Sequence, residues 1–503
     1  MGAALDKPIT DKTTERGEGQ LGDGSTYKFG ASGMQGWRRE MEDRHTCCTE
    51  IEGLPGHAFF AVYDGHGGDE AADLSEQRLL PTILGQEAAA AYREGGCVDP
   101  GLLEVAMVAA FKQCDAEIRP LISRSGTTAV TCFVTPTHFI CANAGDSRGV
   151  YCKARSDGAA QPESLQGLSG ADLKRRLHAL GVDFSGCVEK GELQSLLERS
   201  ELGSGARTVV ALSEDHKPEN EIERTRVLKA GGTVTQGAHA ARRSSRASQG
   251  AASNQACARV CVVPLSVRCF FTGGFGGPMR IDGSLAVARA LGDFSYKDAA
   301  LPPEEQKVSP VPDVTIFPRE PASDQLMLLA CDGIFDVVSN GEVCEVISML
   351  LEEGERDMGK VVEELLMICL EKDSRCVLRC AVCCAALLPR YPMLRCAVAV
   401  LPCAALSCCR AILCCAVLLP CCGGVPTCTH GCSLWSAADT GMHAPASCVM
   451  CRDNMSAIVV AFPGAEPLYG DGEGVDARVR EREAKEAREA KEAKEEAGGV
   501  PTD

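Results

Sequence analysis

The chain has 503 residues, 45% of them hydrophobic, which is enough for two or three domains of ordinary size and a buried core. Its formal net charge of −18 excludes non-specific nucleic-acid binding as a primary role. No apolar run occurs between Met1 and Thr26, so no secretory signal is expected, and of the 30 cysteines those outside 376–451 are expected to be buried or scattered thiols in a reducing compartment. In chain order, the polar, glycine-rich residues 1–25 predict a flexible lead-in. Within them, Met1-Gly2-Ala3-Ala4-Leu5-Asp6 offers Gly2 for N-myristoylation, although Asp6 stands where Ser or Thr is usual. A folded domain is expected over 26–465. Ala58–Tyr63 is a short apolar run ending in turn residues and predicts a buried strand. Asp69–Leu84 and Gly101–Arg119 carry apolar residues at helical spacing. Thr127–Val134 and His138–Ala142 are β-rich runs on either side of Thr135-Pro136-Thr137, a hairpin signal. Gln325–Ala330 and Ala457–Phe462 predict two more strands. Strands interrupted by helices suit an α+β layered domain. In the charged tail, 466–503, Val475–Ala497 alternates Glu, Lys, Arg and Ala and predicts one solvated helix.

Three segments have a different character. Residues 155–205 read as helix, glycine-bounded turn and second helix, and 168–200 resembles the small SAP-like helical module. That resemblance implies a protein-interaction appendage, with Lys174-Arg175-Arg176 as a solvated face. Residues 234–277 are rich in Ala, Ser, Gly and Arg without an acidic residue, and predict a disordered loop. Residues 376–451 hold sixteen of the 30 cysteines, four arginines, no lysine and one acid, Asp439. Pro402 and Arg410 interrupt its apolar run, so no transmembrane span is expected. Pairs such as Cys383-Cys384 lack the CxxC spacing of a zinc site. Joining residues 375 and 453 directly restores a continuous pattern, so this stretch reads as a translated intron or another gene-model error.

Four aspartates stand beside apolar runs and small-residue turns. They are Asp64 in Tyr63-Asp64-Gly65-His66-Gly67-Gly68, Asp146 in Gly145-Asp146-Ser147-Arg148, Asp332 in Cys331-Asp332-Gly333, and Asp453 in Asp453-Asn454-Met455-Ser456. Only a folded sheet brings together residues so far apart. One Asp-Gly is ordinarily a turn, but carboxylates gathered at strand ends suit hard divalent cations such as Mg²⁺ and Mn²⁺.

Together with Gly36-Trp37-Arg38-Arg39-Glu40-Met41-Glu42-Asp43, Ser125-Gly126-Thr127-Thr128-Ala129, Asp215-His216-Lys217-Pro218, Ala230-Gly231-Gly232, the run Leu285–Asp293 and Asp332–Asp336, these motifs stand in a characteristic order. The chain thereby resembles the metal-dependent protein serine/threonine phosphatases of the PPM (type 2C) family. The resemblance implies two antiparallel β-sheets sandwiched between helices. It further implies that Asp64 bridges two Mg²⁺ or Mn²⁺ ions, that the Gly65 carbonyl binds one, and that Asp332 and Asp453 hold the second. Glu42 would act through ordered water, and Asp146 with Asp332 would shape a weaker third position. Arg38 matches the phosphate-binding arginine and His66 the general acid. Phosphorylated proteins are then the expected substrates of a monomeric cytoplasmic or nuclear enzyme. The alternative is a catalytically weak scaffold of the same fold that recruits partners through the inserted module. A Cys-based phosphatase is disfavoured, because Cys403 to Arg410 is too long for a Cys-x5-Arg loop.

Overall fold

The computed structural model describes residues 7–154 except Asp23, 207–236, 278–387 and 453–497, together with Leu5, Ser169, Leu173, Lys190 and Leu193. Two antiparallel sheets dominate. The first has the order β1 (Ile9–Gln20), β2 (Thr26–Gly36), β16 (Met455–Ala461), β15 (Asp324–Ala330), β9 (Arg148–Ala154) and β10 (Arg207–Ala211). The second runs β14 (Asp313–Pro318), β8 (His138–Ala144), β7 (Ala129–Val134), β4 (Ala58–Tyr63) and β3 (Arg44–Cys48). A small sheet joins β5 (Gly65–His66), β6 (Gly126–Thr127) and β13 (Leu291–Gly292), and β11 (Val234–Gln236) pairs with β12 (Met279–Ile281).

Period-two alternation explains the layering. On β4, Ala58, Phe60 and Val62 face the first sheet, where Phe29, Met327, Leu329, Ile458 and Val460 meet them. Phe59, Ala61 and Tyr63 face outward into α1 (Glu70–Leu84), α2 (Glu87–Glu94) and α3 (Pro100–Ile118). On β15, Leu326 and Leu328 face α6 (Asn340–Glu352) and α7 (Met358–Leu387) on the other side. The result is helix, sheet, sheet, helix, the sandwich that the resemblance implies. Both faces of the central strands are covered, which is why β4 and β15 are continuous apolar runs. The remaining helices are α4 (Glu221–Lys229), α5 (Asp332–Phe335) and α8 (Val475–Ala497).

The hairpin at Thr135-Pro136-Thr137 is closed by Thr135, whose Oγ accepts from the His138 amide at 2.8 Å. A capping box starts α6: Ser339 Oγ accepts from the Glu342 amide at 3.3 Å, and the Glu342 carboxylate accepts from the Ser339 amide at 2.9 Å.

Several expectations need correction. The flexible lead-in over 1–25 instead contains β1, which pairs with β2 from Lys12–Met34 to Gln20–Thr26. This edge strand buries none of its residues and is polar and charged, so composition alone hid it. The tail helix lies where the charge pattern put it but is docked rather than free. Arg482 donates to buried Glu364 at 2.7 Å, Arg478 pairs with Glu353, and Val475 is buried. Cys152 on β9 and Cys344 on α6 form a disulfide with Cα atoms 6.8 Å apart, contrary to the expectation of thiols outside 376–451. Their separation of 192 residues concealed the apposition. Residues 234–236 of the expected loop form β11, and its pairing with β12 keeps Gly231-Gly232 near Gly283. The rest of that loop and most of the SAP-like segment lie outside the described residues, as do Gly2 and 388–452. The first part of the cysteine-rich stretch continues α7 to Leu387. Among the described residues, no helix is long and apolar enough to cross a membrane.

Candidate metal centre

The four aspartates arrive at one end of the sandwich because each sits at a strand terminus there. Asp64 follows β4, Asp146 lies between β8 and β9, Asp332 follows β15 as the first residue of α5, and Asp453 precedes β16. Asp64 is anchored by its carbonyl, which accepts from the Thr128 amide at 2.9 Å. Asn454 locks the chain beside Asp453. Its Nδ2 donates to the carbonyls of Gln35 (2.9 Å) and Glu40 (3.0 Å), and its Oδ1 accepts from the Glu42 amide (2.9 Å). Thus β16 carries its aspartate to the loop that bears Arg38 and Glu42, despite the long stretch between α7 and β16. Gly65 is required by close approach: a Cβ there would meet the Glu42 carbonyl at 2.3 Å.

Like charges crowd this pocket. Burial first, then Asp332, Asp43, Asp453 and Asp146, pushes the Asp64 carboxyl well above the usual carboxylate range. Burial, then Asp453, Asp146 and Asp336, does the same to Asp332, and Lys217 only partly offsets it. Burial and Asp453 raise Asp43 to about 7. Asp453 is raised by burial in spite of Arg38. The buried Asp332 Oδ1 atom has no hydrogen-bond partner among the described residues. A set of carboxylate oxygens, crowded, half-buried and short of counter-charge, fits a hard divalent cation. Asp64, Asp332 and Asp453, with the Gly65 carbonyl, are the groups positioned to hold one.

Around the carboxylates, Glu42 Oε1 accepts from the Gly68 amide at 2.7 Å and so fixes the turn that carries His66. Arg38 pairs with Asp453 and is 43% exposed, so an incoming anion can reach its guanidinium. His66 Nε2 lies 2.7 Å from Asp293 Oδ2. Burial alone would lower the His66 pKa, but Asp293, Asp146 and Glu42 outweigh it and raise it. A Cβ on Gly126 would collide with both partners, at 2.4 Å from Asp293 and 2.6 Å from His66 Nε2. Asp146 is not left open: Lys217 Nζ donates to its Oδ2 at 2.9 Å.

All eight sequence-derived residues therefore gather at this end of the fold. Four more were given no role from sequence: Asp43, Lys217, Asp293 and Asn454. Lys217 and Asp293 each lie within a quoted motif, Asp215–Pro218 and Leu285–Asp293, and Asn454 follows Asp453. The motifs carried the signal but not the partnership.

Comparison with known proteins shows the family of the chain. Residues 27–169, 199–247 and 271–376 match the family model described as Protein phosphatase 2C. The unmatched stretch between 169 and 199 coincides with the SAP-like segment, and the match stops where the cysteine-rich stretch begins. Mouse protein phosphatase 1B is 32% identical over 386 residues, 75% of this chain and 73% of its own. Human protein phosphatase 1A is 31% identical over 385 residues, 75% of this chain and 74% of its own. Protein phosphatase ppm-1.A of Caenorhabditis elegans is 33% identical over 392 residues, 75% of this chain and 62% of its own. The crystal structure of a serine-threonine phosphatase 2C from Toxoplasma gondii aligns over 90% of this chain and 99% of its own, at 17% identity and a TM-score of 0.49. The chain belongs to the protein phosphatase 2C family of protein serine/threonine phosphatases.

Proposed function

We propose that this phosphatase hydrolyses phosphoserine and phosphothreonine in proteins at a binuclear Mg²⁺ or Mn²⁺ centre. The reading rests on one observation above all. Asp64, Asp332 and Asp453 are half-buried together, desolvation and neighbouring carboxylates push their carboxyls above the usual range, and Asp332 Oδ1 is unpartnered among the described residues. When bound, such ions supply Lewis acidity and make water a nucleophile near neutral pH. Asp64 would bridge the two ions with the Gly65 carbonyl on one, and Asp332 and Asp453 would hold the other. Glu42 would order a water, and Asp146 with Asp332 would border a weaker third position. Arg38 would release Asp453 to grip two phosphate oxygens with its planar fork. His66 would act as general acid. Its Nε2 is held by Asp293, so the proton offered to the departing serine or threonine oxygen sits on Nδ1.

The test is hydrolysis of p-nitrophenyl phosphate and a phosphothreonine peptide with Mn²⁺ added or chelated. The full chain is compared with one lacking 376–451, and Asp64→Asn serves as control. Metal-dependent turnover that Asp64→Asn abolishes is the expected result. Well-folded protein without turnover in either form would favour the scaffold alternative. Turnover indifferent to chelation would overturn the metal-centre reading.

A further inference from the structure

A second cluster of metal-ligating side chains lies away from the acidic pocket, where the open edges of the two sheets meet. Among the described strands, β1 is the outermost of the first sheet and pairs with β2, and β3 is the outermost of the second. On β3, His45 stands opposite Val62 and Cys47 opposite Phe60, and both of those partners belong to the inter-sheet core. His45 and Cys47 are two residues apart, so they share the face turned towards the first sheet. On β1, Glu15 stands opposite Ala31, another inter-sheet residue, so it points back at them. One oxygen, one nitrogen and one sulfur thus converge from two sheets, all within 4.8 Å of one another. His45 Nε2 lies 3.6 Å from the Glu15 carboxylate.

We propose that Glu15, His45 and Cys47 form a zinc site that clips β1 of one sheet to β3 of the other. Donors on a tetrahedral Zn²⁺ sit roughly 3.5 Å apart, so the three need only small rotations to close on one ion, and water takes the fourth position. A simple His45–Glu15 ion pair explains less, for two reasons. Burial depresses the His45 pKa, which favours the neutral imidazole that a metal needs rather than the imidazolium that an ion pair needs. It also gives Cys47 no part. Burial raises the Cys47 thiol, so zinc must displace its proton; one S–H bond breaks, one Zn–S bond forms, and the proton passes to solvent. Thiolate and imidazole select Zn²⁺ over Mg²⁺, whereas the all-oxygen pocket prefers the harder ion. The two sites sort metals by donor softness, and the zinc site does not rest on the hydrolytic reading.

Co²⁺ is the probe, because cobalt bonded to a thiolate absorbs in the near ultraviolet and cobalt bonded to carboxylates alone does not. The full chain is reduced with a phosphine and titrated with Co²⁺, and Cys47→Ser, His45→Gln and Glu15→Gln follow. The expected result is a thiolate band that Zn²⁺ displaces. Cys47→Ser should lose the absorbance of one bound ion relative to the parent. His45→Gln and Glu15→Gln should each weaken Co²⁺ binding at that band about tenfold or more. Equal band intensity in the parent and folded Cys47→Ser would assign the band to other cysteines and overturn the proposal. Should Cys47→Ser fail to fold, Glu15→Gln at its exposed position decides: unchanged Co²⁺ affinity overturns the site, and a tenfold loss supports it.

Discussion

Asp64 and Asp215 are both half-buried aspartates beside the ends of β-strands, yet their surroundings drive them in opposite directions. Burial raises the pKa of each. For Asp215, the Arg148 guanidinium reverses that by a two-pronged bond, at 2.9 and 2.8 Å, with help from Lys217 and His216. For Asp64, the neighbours are four more carboxylates, and the shift grows. Asp215 therefore has its counter-ion built into the chain and serves the fold. At Asp64 the nearby Arg38 does not outweigh the carboxylates, and further positive charge must come from solution. Buried carboxylates can be sorted into structural and functional ones by asking whether the sequence itself supplies the cation.

The largest effect that sharpens this contrast is Asp64→Asn. Turnover with Mn²⁺ should fall at least about a thousandfold, which corresponds to roughly 4 kcal/mol of barrier. In chelator the same variant should melt higher than the parent, because one member of a repelling set is gone. A lower melting temperature there would break the reading of the pocket as charge-frustrated. Next comes His66→Gln, expected to slow phosphothreonine-peptide hydrolysis about a hundredfold. The loss should be much smaller for p-nitrophenyl phosphate, whose leaving group departs without a proton; equal losses on both substrates would remove the acid role. The raised His66 pKa also has a sign that can be checked. The acid form persists below it, so peptide turnover should decline as pH rises through that value, and Asp293→Asn should move the decline to lower pH.

On the other side of the comparison, Asp215→Asn should destabilise the protein by about 3 kcal/mol in denaturant titrations, since it leaves Arg148 buried without its charged partner. The smallest effect is the pH dependence of that loss. The folded Asp215 pKa is depressed, so its stabilisation is complete above the unfolded value near 4 and is lost as pH falls through the folded value. The gap between parent and variant should therefore narrow on acidification below about pH 4 and stay constant above it. A gap that widened in acid would contradict the assignment.

Much of the core was legible in advance because its signals are local. Ala58–Tyr63 appears as β4 with the bounds read from its apolar run, and the pair of runs around Thr135-Pro136-Thr137 forms the β7–β8 hairpin. The hidden parts depended on long-range partners. β1 is polar because none of its residues is buried, and only its ladder with β2 makes it a strand. α2 is a short alanine-rich helix that buries only Ala89 and Tyr92, too few for a periodic signal. At the site, the aspartates could be singled out by their strand-to-turn settings. That Asp293 orients His66, or that Lys217 holds Asp146, follows only from the fold, since 227 and 71 residues separate the partners.

The place of β16 has a consequence for how the protein is made. It is the last strand in the sequence, yet it lies between β2 and β15 in the first sheet. During synthesis β2 can pair with β1, and β15 with β9, but neither half can meet β16 until residues 455–461 have left the ribosome. The nascent chain must wait with a gap in the middle of that sheet while everything between α7 and β16 is translated. Asp453 arrives with the strand that fills the gap, so the sheet closes and the acidic pocket gains its last carboxylate in one step.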